Sequence, residues 1–140
     1  MLGSLRKHAL GEVPAVRKAR IYSESDAQRA VVAWIRAREG WMVMRIENAA
    51  RRTGAQANRD RGLGMQVGAP DLWVWFRSFA FFIEMKSENG RLSDEQQKLH
   101  AQLSARGCHV LVGWGSEKTI QALTEIEFMG DGYFTDEDIE

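Results

Sequence analysis

The chain has 140 residues, 44% of them apolar and 27% charged, with 19 basic and 19 acidic side chains and a formal net charge of zero. That length suits one compact domain with a real core, and no run of about 18 apolar residues is present to cross a membrane. The single cysteine, Cys108, rules out an internal disulfide and a cysteine zinc cluster and suits a reducing cytosol. The basic N-terminal stretch lacks an apolar core and does not read as a secretory leader, so a cytoplasmic location is expected.

Taken in chain order, residues 1–22 carry Gly3, Gly11 and Pro14 with weak periodicity and read as a basic arm. From Ser23 to about Arg38, Ala27, Ala30, Val31, Trp34 and Ile35 recur at helical spacing. Ser23 can cap this helix, or Ser25 with Gln28 as a capping box, and Gly40 ends it. Trp41 to Ile46 reads as a strand. Asn48 to Gly68 is polar and holds Gly54, Gly62, Gly64 and Gly68 among its arginines, which predicts a long loop or flap.

Leu72–Phe76 and Phe79–Ile83 are continuous apolar runs about Arg77-Ser78, a hairpin expected to be buried on both faces. Ser93 opens a helix to about Ala105, anchored by Leu99 and Leu103 and closed by Gly107. His109 to Val112 is a short strand. Ser116 is expected to cap a last helix using Ile120, Leu123 and Ile126, and an acidic tail follows over 129–140. The order α-β-β-β-α-β-α predicts a small α/β fold with a mixed sheet flanked by helices.

Three charged residues stand at the ends of the apolar strands: Asp71 after Pro70, then Glu84 and Lys86 in Ile83-Glu84-Met85-Lys86. Alternation along a strand puts Glu84 and Lys86 on one face. If the hairpin turns symmetrically about Arg77-Ser78 without a bulge, Asp71 falls opposite Glu84, with Cβ atoms roughly 5 Å apart. Carboxylates held that close repel, and burial adds to the cost. A hard cation such as Mg²⁺, which takes one or two carboxylates with water and phosphate oxygens, relieves the repulsion. Lys86 is placed to lower the pKa of an attacking water or to stabilise a charged phosphorane. E-x-K alone describes a strand-end salt bridge at least as well; Pro70-Asp71 at the matching position favours the metal site.

Two more positions bear on this site. Glu24 shares a helix face with Ala27 and Val31, so it can look inward as a third metal-shell acid. It can equally be a first-turn acid favoured by the helix dipole, and on its residues alone that is preferred. Asp26 competes with less core-like neighbours. Ser93 and Gln96 form an S-x-x-Q capping box, and a glutamine there can also orient Lys86 or a water.

The segments GAPDLWVWF and FIEMKSENGRLSDEQQKLHAQLSARGCHVLVG resemble the VRR-NUC branch of the PD-(D/E)XK nuclease superfamily. Ser23 to Val32 resembles that family's first helix, and the likeness runs to about Ile126, giving a nuclease domain over 23–128. The run Gly90-Arg91-Leu92-Ser93 with Gln96 separates this branch from a generic E-x-K. The resemblance implies a restriction-endonuclease-like core and a Mg²⁺ centre, with Mn²⁺ as a substitute. Asp71 and Glu84 match the metal-binding acids, with Glu24 as the helix-one acid and the Met85 main-chain carbonyl as a further metal ligand. Lys86 matches the catalytic lysine and Gln96 the glutamine after it. Stand-alone members of this size look like phage or bacterial proteins and resemble Holliday-junction resolvases in layout. That likeness implies a homodimer acting on branched DNA.

The charge is unevenly spread. Arg6, Lys7, Arg17, Lys18 and Arg20 face one acid, Glu12, in the first segment, and the tail is acidic from Glu125 onward. Arg51, Arg52, Arg59 and Arg61 are the expected DNA contacts, because a glycine-rich basic flap can follow a phosphate backbone; a solvated basic face is the plainer reading. His8, His100 and His109 form no metal spacing, and the five tryptophans read as core or dimer interface. The expected activity is metal-dependent DNA endonuclease action on branched DNA. Duplex nicking, a non-cleaving DNA-binding accessory role and RNA cleavage are the alternatives.

Overall fold

A computed structural model describes residues 23–47 and 54–134. Among them the order is α1 (Glu24–Arg36), β1 (Trp41–Arg45), α2 (Gly54–Gly62), β2 (Leu72–Phe76), β3 (Phe79–Lys86), α3 (Asp94–Ala105), β4 (Val110–Trp114) and α4 (Ser116–Met129). A short 3₁₀ turn, Gly130–Tyr133, follows α4. The strands form one sheet in the order β1-β2-β3-β4. The first three are antiparallel neighbours and β4 lies parallel to β3. This is the expected α/β architecture, a mixed sheet flanked by helices and consistent with a restriction-endonuclease-like core.

Helix α1 begins where Ser23 Oγ accepts the Asp26 N–H at 3.2 Å, which satisfies one of the free donors of the first turn. Its stripe of Ala27, Val31 and Ile35 is buried. The stripe packs with Leu123 and Ile126 of α4 and with Leu72, Val74, Phe81, Ile83 and Met85 of the sheet. Burying each large aliphatic chain contributes roughly 1.5–3 kcal/mol before chain entropy is charged against it. The Arg38 guanidinium adds a polar tie, donating twice to Glu127 of α4 at 2.6 Å. Trp41 Nε1–H donates to the same carboxylate at 3.0 Å.

The hairpin turns at Arg77-Ser78, with Arg77 at φ 54°. Its register pairs Leu72 with Ile83 and Phe76 with Phe79, the pairing that symmetric turning demands. Burial departs from expectation. Leu72, Val74 and Phe76 are buried, but Trp73 is 38% exposed on the opposite face. Both strands are apolar on both faces, and sequence reads this as two-sided burial. Only one face of β2 lies against α1 and α4; Met42, Met44 and Trp73 share the face left open to solvent.

Two other expectations are corrected. The predicted loop over 48–68 contains α2, a nine-residue helix on which Ala57 is buried. Ala55, Gln56, Ala57 and Arg59 are good helix formers, and the glycines that suggested a loop fall at its ends. At α4, the N-cap is Gly115 with no side-chain cap, and Ser116 is already helical. Strand β4 runs straight into the helix there, and Thr119 Oγ1 donates back to the Gly115 carbonyl at 2.6 Å. The α3 boundaries agree with expectation. Ser93 and Gln96 form a reciprocal capping box. At the other end Gly107, at φ 81°, lets Cys108 N–H reach the Leu103 carbonyl at 3.0 Å.

Candidate active site

The site forms where β2 begins and β3 ends. Asp71 immediately precedes β2, and its carbonyl accepts the Ile46 N–H at 2.8 Å, which fixes the entry to the strand. Gly68 makes this approach possible. At φ +81°, an added Cβ would lie 2.8 Å from the Glu95 main-chain carbon. The 68–70 segment therefore abuts the first turn of α3 at a distance only glycine allows.

Extending the β2–β3 register one step places Asp71 opposite Glu84, and a second step places Pro70 opposite Met85. Asp71 Oδ2 accepts the Met85 N–H at 2.8 Å. A paired residue turns its N–H and C=O to the same partner strand, so the Met85 carbonyl faces this end of the site. Proline has no N–H to offer it. On this register the Met85 carbonyl oxygen is left without a donor from residue 70.

Glu84 is 1% exposed. Its Oε1 accepts the Gln96 Nε2–H at 2.7 Å, whereas Oε2 has no hydrogen-bond partner. Gln96 therefore serves twice: its Oε1 accepts the Ser93 N–H at 2.9 Å to complete the α3 cap while its amide nitrogen holds the acid. Sequence reasoning had Gln96 orienting Lys86 or a water; the structure gives it Glu84. Burial first, and the Glu84 charge second, push the Asp71 carboxyl from 3.8 up to about 6. The Met85 N–H and the Lys86 ammonium act against that rise.

A cleft of about 800 Å³ opens over these groups. Asp71, Glu84, Lys86, Gln96 and Glu24 all line it, so the helix-one acid and the strand acids share one space. Among the described residues no cluster of three or more His, Cys, Asp or Glu side chains is gathered that could hold a metal alone. A cation seated here would draw on two carboxylates, a main-chain oxygen, water and phosphate, the donor set Mg²⁺ favours. The unpartnered, buried Glu84 Oε2 fits that use.

Arg29, Arg36 and Arg45 line the same cleft and were not singled out as DNA contacts from sequence. Arg29 pairs with Asp26 at 3.3 Å on an exposed face. Arg36 and Arg45 make no ion pair within the described residues. The signal was available: Arg29 and Arg36 are seven residues apart, two helical turns on one face. Arg59 and Arg61 sit exposed on α2 and do not line the cleft. Arg51 and Arg52 lie outside the described residues.

The fold is thus a mixed α/β sheet with an acid pair and a lysine gathered at its strand ends. The sequence matches the VRR-NUC domain family over residues 15–116, and the chain belongs to that family. Membership gives it a nuclease-type, DNA-processing function. No curated protein and no solved structure matches the chain.

Proposed function

We propose that this protein is a metal-dependent DNA endonuclease that hydrolyses phosphodiester bonds in branched DNA. The observation that carries the reading is the meeting of Asp71 with the buried, half-satisfied Glu84 beside Lys86 in one cleft. Two acids are kept close at a cost in charge repulsion, which is explained by a bound cation. Mg²⁺, or Mn²⁺ in its place, would supply Lewis acidity at a phosphate oxygen and acidify a water. Asp71, Glu84 and the Met85 carbonyl would hold it, with Glu24 on the opposite wall. The Lys86 ammonium would stabilise charge gathering on the phosphate oxygens. Arg29, Arg36 and Arg45 on the cleft lining offer positive charge to a phosphate backbone.

Branched DNA and a homodimer are the finer parts of the proposal; the likeness in layout to junction resolvases supports both. The test is a cleavage assay in Mg²⁺ and Mn²⁺ on a four-way junction, a flap, plain duplex and single strands, DNA beside RNA. Wild type is expected to cut the junction in symmetric pairs, and Lys86→Ala to cut nothing. Salt-sensitive DNA binding that yields no product and ignores Lys86→Ala would instead mark a non-cleaving accessory protein. Light scattering checks the dimer: a monomer mass refutes it.

A further inference from the structure

The described residues contain two buried side-chain polar atoms without a hydrogen-bond partner, and they face each other. One is Glu84 Oε2 and the other is His100 Nε2, 3.5 Å apart. Neither is at the surface: the His100 side chain is 12% exposed and that of Glu84 1%. Buried donors and acceptors are nearly always paired, and an unpaired one costs on the order of 1–3 kcal/mol. A carboxylate oxygen carries two lone pairs, so Oε2 can face a cation with one and still accept from His100 Nε2 with the other.

The origin of the arrangement is the α3 helix. Gln96 and His100 are four residues apart and so share one helix face, one turn above the other. Gln96 already grips Glu84 Oε1 at 2.7 Å. An approach of about 0.6 Å would bring His100 Nε2 to an ordinary hydrogen-bond distance from Oε2.

We infer that His100 is a positioning residue for Glu84. Donation by its Nε2–H to Oε2, together with the Gln96 donation to Oε1, clamps the carboxylate at both oxygens. The clamp fixes the plane of the group and turns its remaining lone pairs toward the cleft. A neutral imidazole suffices, so the role needs no change of charge. Partners of this kind behind a metal-binding side chain commonly contribute 10–100-fold in metal affinity. The inference rests on the metal-dependent reading above.

The experiment measures Mn²⁺ binding to the full-length chain by titration calorimetry, for wild type, His100→Met and His100→Gln. Methionine fills similar space without a donor, and the glutamine amide nitrogen reaches about where the imidazole Nε2 lies. Thermal unfolding confirms that each variant is folded before it is titrated. His100→Met is expected to bind Mn²⁺ 10–100-fold more weakly, with the metal concentration for half-maximal DNA cleavage raised in step. His100→Gln is expected to recover most of the affinity. Wild-type Mn²⁺ affinity in folded His100→Met overturns the role of His100 alone. A wild-type protein that neither binds Mn²⁺ nor cuts DNA overturns the metal-nuclease reading beneath it.

Discussion

The Asp71 carboxylate accepts the Met85 N–H at 2.8 Å, one residue beyond Glu84. One acid is thereby fastened to the main chain on which the other is carried. Their separation follows from backbone geometry and not from two flexible side chains finding each other.

The first prediction concerns pH. Folding raises the Asp71 carboxyl from 3.8 to about 6, chiefly by burial. Between those values the folded chain holds a proton that the unfolded chain has released, so stability falls as pH rises across this window and levels off above it. After discounting for solvent at a partly open site, the loss is on the order of 1–2 kcal/mol. Asp71→Asn keeps an oxygen for the Met85 N–H and removes the charge. Urea unfolding of metal-free protein at pH 8 is expected to show it more stable than wild type, while cleavage is lost. A variant no more stable than wild type at pH 8 would contradict the burial argument.

Gln96 allows its two jobs to be separated. Gln96→Glu keeps an acceptor for the Ser93 N–H, as S-x-x-E is itself a capping box, but sets a second carboxylate against Glu84. It is expected to retain α3 helicity by circular dichroism and lose cleavage at least 100-fold. Gln96→Ala is expected to lose both, with about 1 kcal/mol from the cap. Full activity in Gln96→Glu would show that the contact with Glu84 is incidental.

Gly68→Ala should act at a distance from the chemistry. The new Cβ would overlap the Glu95 main chain, and the left-handed φ adds strain. A cost of about 1–3 kcal/mol is expected, together with weakened cleavage because the Pro70-Asp71 segment must retreat from α3. Chemical denaturation gives the first quantity and single-turnover kinetics the second.

The basic wall makes a prediction about salt. Arg36→Ala and Arg45→Ala should each weaken DNA binding on every sequence and lower the slope of log affinity against log salt by about 1. Arg59→Ala and Arg61→Ala, on α2 away from the cleft, should change it less. Fluorescence anisotropy between about 50 and 200 mM salt decides the ranking. An unchanged slope in both cleft variants would move the DNA path elsewhere.

Sequence reading succeeded where local rules sufficed. A two-residue turn and strand alternation place Asp71 against Glu84 with no knowledge of the rest of the fold. The α3 cap was legible because Ser93 and Gln96 are three residues apart. The grip of Gln96 on Glu84 was not, because it depends on the angle at which α3 returns over β3, which no short-range pattern encodes. His100 could be placed one turn past Gln96, but its approach to Glu84 was not legible, for the same reason. Arg29 and Arg36 were not singled out, because only the position of β1 turns their face of α1 into a cleft wall. Helix α2 was hidden by glycines at its ends that read as loop. The exposed face of β2 was misjudged because an apolar run says that a face can be buried, not that something covers it.

The hairpin turn has a genetic consequence. Arg77 and Ser78 do not line the cleft, yet they set the phase in which β2 runs against β3. One extra codon between them that is taken into the strands, and not into a three-residue loop, slides every pair by a residue, and a slip of one changes which side of the sheet a chain presents. Such an in-frame insertion is expected to be as inactivating as deletion of Glu84, in a protein whose composition is almost unchanged. The tip of the hairpin thus belongs to the heritable definition of the site, and a screen for inactivating insertions should find it before it finds most of the residues that line the cleft.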